Sequence, residues 1–120
     1  MKIKTQDLTG AALDWAVAKC EGWDAPIFRN RTWAVPLYVA TNGTGLHTYA
    51  PSTDWAQGGP IIERERISIR QCANVPFVHA YVPQSNAPWI SDGTSPLIAA
   101  MRCYCSFKLG DEVDLPEELI

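Results

Sequence analysis

The sequence predicts an α+β fold: a small single domain over residues 1–120, with two main helices packed on a short, mostly antiparallel sheet. Three observations lead there. Residues 8–21 and 95–109 each repeat apolar side chains at the three- and four-residue spacing of a helix face. Residues 32–40 and 66–82 carry short alternating or β-branched runs of strand length. At 120 residues, 47% apolar and 19% charged, the chain has the size and composition of one globular unit with a real core.

The first helix is read over residues 8–21. Thr9 is a favourable N-cap, and Leu8 before it can staple onto Leu13. Leu13, Ala16, Val17 and Cys20 keep the helical spacing, Lys19 and Glu21 face water, and Gly22 is placed to end the helix. Pro26 and Pro36 then break regular structure into short strands at 32–35 and 37–40. The second of these runs into a turn formed by Asn42, Gly43, Thr44 and Gly45. Ile67 and Ile69 alternate with Arg66 and Arg70, so the isoleucines point to a core and the arginines outward. Residues 75–82 form another strand, which Pro76 pushes to an edge or to a late start. Residues 83–93 have loop composition.

Ser95 caps the second helix, Pro96 occupies its first turn, where a missing N–H costs nothing, and Gly110 closes it. Leu97, Met101, Tyr104 and Cys105 share one face, with Ile98 and Leu109 beside it. Beyond lies an acidic segment, 111–120, in which Val113 and Leu115 alternate with acids as in a short strand.

Charge and composition exclude several functions. The net charge is -3, and five of the thirteen acids fall in residues 111–120, leaving ten bases against eight acids in the first 110. Neither balance makes the basic face that duplex nucleic acid requires. The lysines near the amino terminus have no apolar run behind them, and no stretch reaches the roughly 20 apolar residues of a membrane span. A cytosolic protein is expected, with no membrane association. Its four cysteines read as small core hydrophobes and not as a disulfide framework. Cys103 and Cys105, two apart on a helix, diverge and cannot share a metal.

The densest stretch is STDWAQGGPIIERER, residues 52–66. Ser52 or Thr53 can cap a single turn through Asp54, Trp55 and Ala56. Gly58 and Gly59 then let the backbone turn, and Pro60 restarts a helix with Gly59 near its N-cap. The N–H groups of Ile61 and Ile62 would then form an anion site. Arg64 would add a charged grip, Glu63 would accept hydrogen bonds from a ribose hydroxyl or an amine, and Trp55 and Tyr49 would offer flat faces to a ring. Gln57 lies inside the same constellation. The competing reading is a tight connector, with Trp55 anchored in the core and the Glu-Arg pairs on a solvated face. No Gly-Lys-Ser/Thr follows, so this is not a phosphate loop.

Catalytic patterns are weaker. His47 and His79 stand at no metal-ligand spacing, and Glu63 and Glu65 diverge. A triad of His79, Asp54 and a serine is compatible with the chain but selected by nothing in it.

Three blocks, KIKTQDLTGAALDWAVAKCEG, YAPSTDWAQGGPIIERERI and SPLIAAMRCYCSFKLGDEVDLPEEL, resemble the NinX-like small proteins of lambdoid phages and prophages, in the same order and over slightly more than half of the chain. The resemblance implies a phage accessory protein acting in the cytoplasm of the bacterial host, and it supplies no catalytic residues or cofactor. Accessory proteins of this kind include sponges that sequester nucleotide-like signals of anti-phage defence. The expectation is therefore a non-enzymatic homo-oligomer that binds a small anionic nucleotide-type ligand through Tyr49, Ser52, Thr53, Asp54, Trp55, Gln57, Gly58, Gly59, Glu63 and Arg64. The alternative is a modulator or inhibitor of a host protein, anchored by Trp23, Trp33 or Trp89 and steered by the acidic segment.

Overall fold

The computed structural model describes residues 2–22, 38–40, 46–48, 50–71, 76–82 and 91–115. The fold is α+β, as predicted, with three α-helices among the described residues where the sequence suggested two main ones: α1 (Gly10–Cys20), α2 (Trp55–Glu65) and α3 (Pro96–Leu109). The core gathers around α3, which packs against α1, α2 and the neighbouring strands. Ala99, Ala100, Met101, Cys103 and Cys105 are all fully buried, a wider apolar face than spacing alone marked out. Leu8 and Leu13 meet in the same core, as the staple requires.

Helix ends follow local chemistry. Ser95 Oγ accepts the N–H of Ile98 at 3.2 Å, and Pro96 takes the first turn of α3. Thr9 stands at the N-cap of α1 in extended conformation, but its side chain makes no capping bond. At the end of α2, Arg66 adopts a left-handed conformation (φ 56°), and the N–H of Ile67 reaches back to the carbonyl of Ile62 at 3.1 Å. That closure usually belongs to glycine.

All strand pairings in the described residues are antiparallel. β1 (Lys2–Lys4) pairs with β7 (Glu112–Asp114), setting Lys2 opposite Asp114 and Lys4 opposite Glu112, with Ile3 against Val113. Opposite charges across one ribbon support its register. Thr5 knits the junction, its hydroxyl meeting Ser106 Oγ at 2.8 Å and donating to the carbonyl of Gly110. Thus the front half of the acidic segment is structural, with Val113 and Leu115 buried.

β2 (Tyr38–Ala40) pairs with β3 (Leu46–Thr48). The expected turn between them, the expected strand at 32–35, and Trp23, Trp33 and Trp89 lie outside the described residues.

The third sheet has the order β4 (Ser68–Gln71), β5 (Val78–Tyr81), β6 (Ser91–Gly93). β5 starts late after Pro76, as expected, yet it is the central strand and not an edge. β6 corrects the loop reading of residues 83–93 at its last three positions. Its Gly93 lies so close to α3 that a Cβ would stand 2.6 Å from the backbone nitrogen of Ala99. Composition scored Ser91, Asp92 and Gly93 as loop formers, whereas close helix–strand packing demands a small residue there.

Candidate functional site

The sequence-predicted site is a rigid corner leading into α2. The N–H of Asp54 donates to the carbonyl of Ala50 at 2.8 Å, closing the turn. Asp54 Oδ1 accepts the N–H of Ala56, and Oδ2 accepts Gln57 Nε2, each at 3.0 Å. Gln57 Oε1 in turn accepts the N–H of Ala50 at 2.9 Å. Asp54, and not Ser52 or Thr53 as expected, is therefore the N-cap, since its carboxylate is the group that reaches the first free amide, and α2 runs unbroken through Gly58, Gly59 and Pro60. This corrects the expected break and restart at Pro60: the amides of Ile61 and Ile62 lie inside the helix and form no anion site.

Both glycines have a packing explanation. A Cβ on Gly58 would stand 2.4 Å from the carbonyl oxygen of Pro51 and 2.6 Å from Leu97 Cδ2, so only glycine lets α2 approach. Gly59 precedes a proline, and without a Cβ it avoids the clash that normally drives the preceding residue out of helical conformation.

Below the corner, Ser52 is buried and its N–H donates to Asp14 Oδ1 at 2.9 Å. The Ser52 hydroxyl is buried near the same carboxylate, in a geometry that makes no hydrogen bond. Burial pushes the Asp14 carboxyl up to about 6, against the lowering effect of the Ser52 amide. Spacing could have flagged Asp14, since Val17 and Ala18, three and four residues on, are both core.

Arg64 and Glu63 stand elsewhere. Nine helical residues put Arg64 half a turn out of phase with Trp55 and roughly 13 Å along the axis. Arg64 forks onto Glu21, with Nη1 to Oε1 at 3.1 Å and Nη2 to Oε2 at 2.6 Å. It also donates to Glu65 at 2.8 Å and to the Tyr104 hydroxyl at 3.1 Å. Glu21, expected to face water, is thus the acid that ties α1 to α2 and α3. Partial burial works to raise its carboxyl, but hydrogen bonds from Arg64 and Tyr104 outweigh it and hold the group below the usual carboxylate range.

The structure thus brings together Ser52, Thr53, Asp54, Trp55, Gln57 and Gly58, with Gly59 one turn on, and separates Glu63 and Arg64 from them. Tyr49 lies outside the described residues. The competing reading put Trp55 in the core. Instead its side chain is 55% exposed at the start of α2, beside exposed Thr53 and Ala56.

Other reactive groups are engaged. His79 Nδ1 meets Asp92 Oδ1 at 2.5 Å across the β5–β6 pair, while Asp54 caps its own helix, so the two are not partners in a triad. Cys103 is pushed up to about 11 by burial, and Cys105 is raised by its hydrogen bond with Cys20 and then by burial. Thiols so disposed are packing groups and not nucleophiles. No group of three or more metal-ligating side chains gathers among the described residues, and no helix among them is long and apolar enough to cross a membrane.

No curated protein matches the chain. A family described as Bacteriophage P22, NinX matches residues 4–108, which takes in α1, the α2 corner, the three-stranded sheet and nearly all of α3. The chain belongs to the phage NinX family.

Proposed function

We propose that the protein is a non-enzymatic accessory protein of the phage that works by binding inside the bacterial host, with the α2 corner as its contact point. One observation carries this reading: Trp55 stands more than half exposed on a turn that Asp54, Gln57, Ala50 and Asp14 hold rigid. A large aromatic presented on a backbone already held in place leaves less of the chain to be ordered on binding, a property of interface hot spots. The occupant this supports best is a host protein whose surface takes the indole.

A second reading retains a nucleotide-type signal of host defence as ligand, favoured by the exposed indole face with the Thr53 hydroxyl beside it. It draws on fewer groups than the sequence suggested, because Arg64 is engaged by Glu21 and an acid caps α2.

Titration calorimetry against cyclic dinucleotides and ADP-ribose derivatives, alongside cross-linked capture from infected cells, tests both readings with wild type and Trp55→Ala. A host partner lost specifically in Trp55→Ala supports the first. Calorimetric binding lost in the same variant supports the second. Wild-type behaviour of Trp55→Ala in both assays would overturn the corner as the contact point.

A further inference from the structure

We propose that the solvent face of the β4–β5–β6 sheet is a two-fold interface for a second copy of this chain. This face is separate from the α2 corner and does not depend on the reading given to it. Along the central strand, Val78 and Ala80 point into the core, so His79 and Tyr81 share the opposite face, and Phe77, immediately before β5, is exposed next to them in the chain. Phe77 is 48% exposed and Tyr81 38%, an apolar pair at the two ends of the central strand.

The charges on that face are arranged in one row. Arg70 on β4 lies directly across from His79 on β5, and His79 lies directly across from Asp92 on β6. A base thus occupies one edge and an acid the other, roughly 10 Å apart, with His79 between them. A two-fold axis parallel to β5 and above the face turns each edge strand over the opposite edge strand of the other copy. Because the three residues share a row, Arg70 of each copy then meets Asp92 of the other, and both ion pairs form together. His79 and Tyr81 fall along the axis, each facing its counterpart. This is the self-complementarity that a two-fold interface demands. Sheets packed face to face stand about 10 Å apart, a gap that aromatic side chains from both faces fill.

Single-stranded nucleic acid would also stack on exposed aromatics, but it needs cations free of acids. Here Asp92 stands on the platform against His79, which favours a second copy. Three strands of three or four residues cover less than the roughly 800 Å² per partner of a standard interface, so the dimer is weak, with Kd in the micromolar range or above.

Sedimentation equilibrium of the full chain from about 5 to about 500 μM spans that range. Wild type should show a monomer–dimer equilibrium that weakens with salt. Arg70→Asp and Asp92→Arg should each weaken self-association at least ten-fold, since like charges then face each other. An equimolar mixture of the two single variants should associate, one bringing acids at both edges and the other bases. Circular dichroism checks that each variant folds. If a charge reversal unfolds the chain, Arg70→Ala and Asp92→Asn replace it and should remove the salt dependence. A wild type monomeric throughout, single variants that self-associate as wild type does, a mixture that stays monomeric while wild type dimerises, or oligonucleotide binding by this face in its place would overturn the proposal.

Discussion

Asp14 should contribute less to stability at neutral pH than at mildly acidic pH. The residue is 6% exposed, and burial pushes its carboxyl from 3.8 to about 6. A folded pKa above the unfolded one means the native state holds the proton more tightly. The contribution to stability is fully present below pH 3.8, falls as pH rises toward 6, and is gone above it. A separation of about two pH units at about 1.4 kcal/mol each corresponds to about 3 kcal/mol between pH 4 and pH 8. Asp14→Asn keeps an oxygen to accept the Ser52 N–H and removes the titration. Urea unfolding of both proteins at half-unit steps from pH 4 to pH 8 gives the difference directly. Paired carboxylates such as Glu21, which act with the opposite sign, cancel in that difference. Asp14→Asn should match wild type near pH 4 and exceed it by up to about 3 kcal/mol at pH 8. A difference that stays flat across the range would refute the reasoning. Asp14→Ala should instead lose stability at every pH, because the buried Ser52 N–H is left without its acceptor.

Gly58→Ala places a methyl against the Pro51 carbonyl and should cost about 2–3 kcal/mol in thermal or urea unfolding; Gly59→Ala, whose Cβ meets the Trp55 ring at 3.9 Å and otherwise crowds only its neighbour Pro60, should cost less, about 1 kcal/mol, because alanine's helix propensity offsets part of that clash. Arg66→Gly relieves the left-handed backbone at the end of α2 and should stabilise by about 0.5–1 kcal/mol by the same measurement. Arg64→Ala should lose about 1 kcal/mol through the Glu21, Glu65 and Tyr104 contacts, and Arg64→Lys should not recover it, since an ammonium cannot fork onto Glu21. Truncation after Gly110 removes β7 and the buried Val113 and Leu115, so it should lose about 4 kcal/mol and the circular dichroism signal of a folded domain, whereas Glu112→Gln should change stability by less than about 0.5.

The strongly periodic segments were legible because their signals are local. Thr9 and Ser95 mark helix starts, Gly22 and Gly110 mark ends, and apolar spacing sets the inward faces of α1 and α3. Val113 and Leu115 announced β7 by alternation alone, and Pro76 announced the late start of β5. β1 and β6 were not legible: each is three residues long and forms only where a distant strand supplies its hydrogen bonds. The three-stranded order that places β5 in the centre was hidden for the same reason.

The candidate site divides along the same line. Residue types by themselves placed a capped helical turn at Ser52 to Ala56, because the groups involved are neighbours in the chain, but the cap is Asp54 and not Ser52 or Thr53. Whether Gly58, Gly59 and Pro60 break the helix or pass through it depends on Pro51 and Leu97, which approach from outside α2. Arg64 reads as a free cation in sequence, and only the arrival of Glu21 from α1 and Tyr104 from α3 engages it. Asp14 becomes a strained acid only once α1 is covered and water is excluded from it. Local hydrogen bonding and periodicity act over a few residues and are written in the order of the chain. Desolvation, ion pairing and close approach depend on what distant segments bring, so the tertiary structure alone decided them.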